Sequence, residues 1–368
     1  MTISMDGGIL PQIPLELPKR IQDLPPKWAH LALEVLDFSH DIISGELFGK
    51  GVLIGVSGGV DSLCLLLIFK ALQQKFNLSL EAAHLNHGFR PSAREEAEWV
   101  EKFCNKLGVP CNIEHAGLYK ETVSTANLGL EEKGRNWRYA FFERTRVQKE
   151  LDYTALAHNL NDLAEDQIMR MSRGCGWPEL GGMPAYDPKR SLIRPILMQP
   201  RKLLQNMLDE LNVPFIVDES NSSALFMRNR VRMNIIPQLI SENRGYLEHA
   251  GNLWLMARKE QAFWDRYLDC FNPEARGEEI VLPFAAILGE EDAARLKIFR
   301  KCLEKLAELC SLPQIFTPSA QLFEINRAIA RRKSGQGSGI MKIQFPGGVE
   351  AVVGKAEIVF CRSSVASH

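Results

Sequence analysis

The chain has 368 residues, 45% of them hydrophobic and 24% charged, enough for two or three domains and a substantial core. Its 44 basic and 45 acidic side chains leave a formal charge of −1, which gives no global sign of a nucleic-acid partner. No stretch approaches the roughly 20 apolar residues a membrane helix needs, and the eight cysteines are scattered without a CxxC pair or metal-ligand spacing.

Residues 1–27 are rich in Pro and Gly and are expected to form an extended lead-in. Their opening, MTISMDGGILPQIPLELPKR, lacks a basic region followed by an apolar core, so a signal peptide is not expected. A cytoplasmic enzyme is the simplest fit. Between about 28 and 220 short apolar runs alternate with amphipathic ones. Strands are predicted at 52–56, 80–85, 109–114 and 153–157, and helices at about 62–76, 93–107, 129–150, 161–173 and 201–211. That alternation predicts an α/β domain with a parallel sheet and helices on both faces, in which ligands bind at the carboxyl ends of the strands.

Beyond 240 the alternation stops. Helices are predicted at 246–270, 285–309 and 319–330, with Trp, Phe and Leu on one face. The turn Pro346-Gly347-Gly348 predicts a hairpin of 340–345 with 349–353, and 357–361 is a candidate third strand. The expected organisation is a lead-in (1–27), an α/β domain (28–240) and a mainly helical domain ending in a small β element (241–368).

The stretch Ser57-Gly58-Gly59-Val60-Asp61-Ser62 lies between a strand-like run and a strongly apolar helical one. A Ser/Gly loop at a helix N-terminus presents backbone N–H groups and the positive end of the helix dipole to an anion. Gly58 and Gly59 let the main chain approach a phosphate, and Asp61 adds a carboxylate suited to Mg2+. The pattern is not a Walker A loop, which needs Gly-Lys-Ser/Thr. It matches the pyrophosphate loop of enzymes that split ATP between the α and β phosphates. The plain alternative is an ordinary strand-to-helix turn.

The second strand ends in His84-Leu85-Asn86-His87-Gly88-Phe89-Arg90, placing His84 and Asn86 two apart on one side of the pleat. The fourth leads into Ala157-His158-Asn159-Leu160-Asn161-Asp162-Leu163-Ala164-Glu165-Asp166. There Asp162 and Glu165 fall three apart on one helix face, with His158 at its mouth. Such a trio suits binding an ammonium group, binding Mg2+ or accepting a proton from an amine; the other reading is a helix start with favourable acidic residues. Arg135 and Arg138, three apart on a helix, suit a phosphate clamp. Ser220-Asn221 and Arg228-Asn229-Arg230-Val231-Arg232 supply further donors. Arg327, Arg331, Arg332, Lys333 and Lys342 form a basic run with no acid between 327 and 342; a solvated face is the commoner meaning of such a run.

In order, SGGVDS, HLNHGFR, EEKGRNWRYAFF, AHNLNDLAED, MRMSRGCGWPELGGM and SNSSALFMRNRVR resemble the tRNA(Ile)-lysidine synthetases, over about residues 50–240 and more weakly beyond. The resemblance implies adenylation of the wobble cytidine of a CAU-anticodon tRNA(Ile), then displacement of AMP by L-lysine. It implies ATP and Mg2+ at Ser57, Gly58, Gly59, Val60, Asp61 and Ser62, with His84 and Asn86 beside the nucleotide. His158, Asp162 and Glu165, with Arg135, would be the catalytic set. Arg138, Arg228, Asn229, Arg230, Arg232, Arg331 and Arg332 would face tRNA. Positions that depart from the family pattern are Asn159, which stands for a His, Asn161 for an Asp, Leu163 for a Gln, Asp166 for a Thr, and Ser223 or a neighbour for an Asp. Alternatives at this point are a tRNA thiolase or another adenylating enzyme of the class, and a non-catalytic tRNA-binding paralogue. A homodimer is one assembly compatible with the sequence.

Overall fold

The computed structural model describes residues 2–3, 9–86, 93–115, 130–217, 226–312, 315, 317, 319–333 and 339–363. The chain divides into two compact units, residues 1–169 with 182–252 and residues 170–181 with 253–368.

The first unit opens with a short antiparallel pair, β1 (Thr2–Ile3) with β2 (Ile9–Leu10). Helix α1 (Pro26–Ile43) was not among the expected elements, yet its buried Trp28, Leu31, Ala32, Val35, Leu36 and Ser39 recur at helical spacing. The core of the unit is a six-stranded sheet of β3 (Gly51–Gly55), β4 (Ser79–Asn86), β5 (Cys111–His115), β6 (Tyr153–Ala155), β7 (Tyr186–Asp187) and β8 (Leu192–Ile193). The strand order is β5-β4-β3-β6-β8-β7, and all neighbours are parallel except β7 and β8.

Its helices are α2 (Val60–Gln73), α3 (Ala93–Leu107), α4 (Leu130–Gln148), α5 (Leu160–Ser172), α6 (Arg201–Glu210), α7 (Met227–Arg230), α8 (Ile236–Glu242) and α9 (Tyr246–Leu268), the last running on into the second unit. Strand β3 is apolar on both faces because both are covered. Val52 and Ile54 join the cluster built with α1, α2, α3 and α6, whereas Leu53 packs with Phe141 and Phe142 of α4. Helix α2 is apolar nearly all round and buried from Leu63 to Phe69.

From β3 the chain runs to β4 and β5 on one side, then crosses to β6 on the other. The loops leaving β3 and β6 therefore flank a topological switch point, where open parallel sheets hold their ligands.

The second unit holds β9 (Glu274–Arg276), β10 (Glu279–Pro283), α10 (Asp292–Leu309), α11 (Ser319–Lys333), β11 (Met341–Phe345), β12 (Val349–Val353) and β13 (Glu357–Arg362). The expected hairpin and third strand are present, and β10 and β9 extend them into an antiparallel sheet of order β11-β12-β13-β10-β9. Gly347 and Gly348 sit at φ 86° and 70°, the left-handed conformations that this tight turn demands. Phe299, Leu303 and Ile325 of the helices pack on Ile280, Ile343 and Phe360 of the sheet. Helix α10 starts at Asp292 rather than near 285, because Phe284–Ala286 forms a separate turn ahead of Gly289. Among the described residues no helix is long and apolar enough to cross a membrane.

Candidate active site

The phosphate-type loop is closed by its two serines. Ser62 Oγ accepts the Ser57 N–H at 3.1 Å, lies 3.1 Å from Ser57 Oγ and donates to the Gly59 carbonyl at 3.0 Å. Gly58 has φ 86°, and a Cβ there would come within 2.8 Å of Ile216 Cδ1, so both backbone and packing require glycine. Gly59 is the N-cap of α2 and has no side chain to cap it, which leaves the first-turn N–H groups for an anion.

Asp61, in that first turn, reaches Arg201 Nη1 at 3.9 Å. Its Oδ1 is buried without a hydrogen-bond partner, and burial pushes the carboxyl above its usual range. A desolvated carboxylate oxygen left unpaired is a poor arrangement for stability and a good one for a cation. Among the described residues no cluster of three or more His, Cys, Asp or Glu is placed to hold a metal alone.

The loop after β6 faces this one. Asn159 caps α5: its Oδ1 accepts the N–H groups of Asn161 (2.9 Å) and Asp162 (3.1 Å), while Asp162 Oδ2 accepts the Asn159 N–H (3.0 Å). This reciprocal box satisfies three donors at the helix start. Asn161 Oδ1 in turn accepts the Arg201 N–H at the start of α6, at 3.0 Å. Two of the departures from the family pattern, Asn159 and Asn161, thus have structural work as helix caps, while Ser223 lies outside the described residues. Leu163 is buried against Gly182.

Asp162 and Glu165 are held by two arginines from far along the chain. Arg228 donates from Nε to Glu165 (2.9 Å) and from Nη2 to Asp162 (3.1 Å). Arg232 donates from Nε to Glu165 at 2.6 Å and from Nη2 to both carboxylates, at 3.1 and 3.0 Å. The two arginines lie four apart across α7 and a widened helical turn at Val231–Ile235. Such widened turns are frequent at functional sites.

His158 accepts a hydrogen bond at Nδ1 from Arg194 Nε (3.1 Å). Burial, together with Arg194, Arg228, Arg135 and Arg138, holds the imidazole well below its ordinary pKa. His84 gives its Nδ1 hydrogen to the Val56 carbonyl (2.8 Å), and Asn86 donates to Ala93 O (2.9 Å). Arg135 lies exposed over the Tyr139 ring, 5.4 Å from its centroid, and Arg138 is exposed on the same helix. Asn229 and Arg230 lie on α7 beside Arg228. Arg331 and Arg332 belong to the second unit, where Arg332 donates to Val353 O (2.9 Å). His87–Arg90 and Ser220-Asn221 lie outside the described residues.

Sequence reasoning missed Arg194, Arg201 and the capping role of Asn159. A lone arginine inside the apolar run Leu192-Ile193-Arg194-Pro195-Ile196-Leu197 was the one available signal for Arg194.

A PP-loop family profile matches residues 35–239. Together with the strand–loop–helix at the switch point, this defines a PP-loop domain, a class that binds ATP. A protein of Nitratidesulfovibrio vulgaris named tRNA(Ile)-lysidine synthase is 36% identical over 284 residues, covering 71% of this chain and 82% of that protein. Proteins of the same name from Pseudothermotoga lettingae and Clostridium perfringens are each 37% identical, over 191 and 198 residues. Those alignments cover 52% and 53% of this chain but only 42% and 41% of the relatives. The chain belongs to the tRNA(Ile)-lysidine synthase family.

Proposed function

We propose that this chain joins L-lysine to C2 of the wobble cytidine of a CAU-anticodon tRNA(Ile), consuming ATP and releasing AMP and pyrophosphate. The observation that carries this reading is that Arg201 reaches both Asp61 (Nη1 to Oδ2, 3.9 Å) and Asn161 Oδ1 (main-chain N–H, 3.0 Å), so the loop after β3 and the carboxylate-bearing helix after β6 border one crevice. The loop Ser57–Ser62, with the α2 N-terminus, binds the phosphates. Asp61 would hold Mg2+, which would supply charge screening for the phosphates. The cytidine carbonyl oxygen attacks the α-phosphorus, pyrophosphate departs, and the oxygen becomes part of a good leaving group. The lysine amine then adds at C2 and AMP leaves.

Lysine must reach the crevice as a cation and attack as an amine, since its reference pKa is about 10.4. Asp162 and Glu165 are the carboxylates for the ammonium, and both are already engaged by guanidinium groups. An arriving ammonium exchanges with one of them, and the released arginine turns to the phosphates that ATP and tRNA bring. Arg135, Arg138, Asn229 and Arg230 supply the surrounding RNA contacts, and Arg331 and Arg332 are separate tRNA contacts on the second unit. A sulfur-transfer reading has less support: Cys64, one turn past Asp61, bonds the Leu204 carbonyl at 3.1 Å, and burial holds its thiol well above the usual range.

The test is pyrophosphate and AMP release with ATP, L-lysine and tRNA supplied singly and together. Lysine-dependent AMP formation on CAU-anticodon tRNA is expected. AMP formed equally without lysine, or only with a sulfur donor, would overturn the assignment.

A further inference from the structure

Arg194 sits 5% exposed just after β8, with its main-chain N–H on Ala185 O at 2.8 Å. Its Nη1 donates to the Pro184 carbonyl at 2.6 Å and its Nε donates to His158 Nδ1 at 3.1 Å. Among the described residues it has no carboxylate partner in an ion pair. The Asp187 carboxylate favours its charge only from beyond ion-pair distance, and burying a guanidinium so weakly compensated costs stability. The group it points at is the one histidine at the mouth of α5.

A guanidinium has five N–H donors and no lone pair to offer. The ring nitrogen facing it must therefore be the acceptor, which leaves Nδ1 unprotonated. A neutral imidazole in that state carries its hydrogen on Nε2. We infer that Arg194 is a positioning residue that locks His158 as the Nε2–H tautomer, so that the imidazole donates a hydrogen bond to a substrate oxygen and does not serve as the base for the lysine amine. Taking up a proton at Nδ1 would break the bond to Arg194 and set two cations side by side; the surrounding arginines oppose it further. The proton released by lysine goes instead to a carboxylate or to water. The fixed-tautomer ring does for a developing negative oxygen what preorganised donors do elsewhere. The tautomer assignment stands on the geometry alone; only the identity of the oxygen rests on the lysidine reading.

Long-range proton–nitrogen correlation spectra of the 15N-labelled full chain near neutral pH test this, with the His158 signals assigned by their loss in His158→Gln. The expected wild-type pattern is a protonated Nε2 and a bare Nδ1. Arg194→Met is expected to release a tautomer mixture, and Arg194→Lys, which keeps a donor, to restore the Nε2–H form. In turnover assays Arg194→Met should lower kcat by about tenfold or more with the KM for ATP unchanged, and Arg194→Lys should recover most of it. A wild-type His158 protonated on Nδ1, or an unchanged tautomer in folded Arg194→Met, overturns the inference. Should Arg194→Met fail to fold, the wild-type and Arg194→Lys spectra decide it. Lysine-independent AMP formation would sink the functional reading while leaving the tautomer result standing.

Discussion

Arg232 Nε lies 2.6 Å from Glu165 Oε1, and Glu165 itself is 1% exposed. A buried carboxylate therefore ties α5 to the widened turn after α7, residues 67 positions apart in the chain. Removing one partner from such a buried pair costs about 3–5 kcal/mol, because the other charges stay desolvated. The arginines retain some solvent, so Glu165→Gln is expected at the low end, about 3 kcal/mol, read as a lowered urea midpoint. A double-mutant cycle with Arg232→Ala should return a coupling above about 0.5 kcal/mol. Strict additivity would show that the pair contributes nothing beyond its separate parts.

Asp61→Asn should separate function from stability. Burial raises the folded pKa of Asp61, so its contribution to stability is present below the unfolded value of 3.8 and is lost as pH rises through the folded one. At neutral pH the charge is a net cost, and the isosteric amide removes it. Thermal melting is expected to be unchanged or higher, while ATP-dependent pyrophosphate release falls by about 100-fold or more. Retained activity would remove Asp61 from the phosphate and metal site.

The two glycines of the loop should respond differently to alanine. At Gly58 a Cβ meets Ile216 and Val100 at 2.8 and 3.1 Å with φ at 86°, so Gly58→Ala should cost about 1–3 kcal/mol. At Gly59 the nearest neighbour is Ser57 Oγ at 3.6 Å and φ is −81°, so Gly59→Ala should melt within about 0.5 kcal/mol of wild type. Any loss in Gly59→Ala is then a loss of nucleotide binding, measured by ATP titration. Equal destabilisation by both changes would contradict the loop geometry.

The depressed pKa of His158 has a signed consequence. Below about pH 6.5 the unfolded chain takes up a proton on this ring that the folded chain refuses. Stability is therefore complete above 6.5 and falls as pH drops toward the folded value, by up to about 1.4 kcal/mol per pH unit. Buried His84 acts in the same direction. The stability advantage of wild type over His158→Gln should shrink between about pH 7 and about pH 5. Parallel profiles over that range would rule this contribution out.

Much of this was legible locally. The strand, loop and helix around Ser57–Ser62 follow from residues adjacent in sequence, as does the hairpin at Gly347-Gly348. Elements with weak or polar patterns were not legible: Tyr186–Asp187 and Glu274–Arg276 are two and three residues long and carry no apolar alternation. Asn159 and Asn161 read as departures from a family pattern, and only their hydrogen bonds show them to be caps.

The sequence by itself determined the class of sheet, the position of the phosphate-type loop and the residue types available for amine chemistry, because each depends on short-range pattern. Tertiary structure alone decided which charges meet. Arg194 reaches His158 across 36 positions, and Arg228 and Arg232 reach Asp162 and Glu165 across 63 to 70. Burial then sets what those groups can do, since a hydrogen-bond partner and a low dielectric choose the protonation state that composition leaves open.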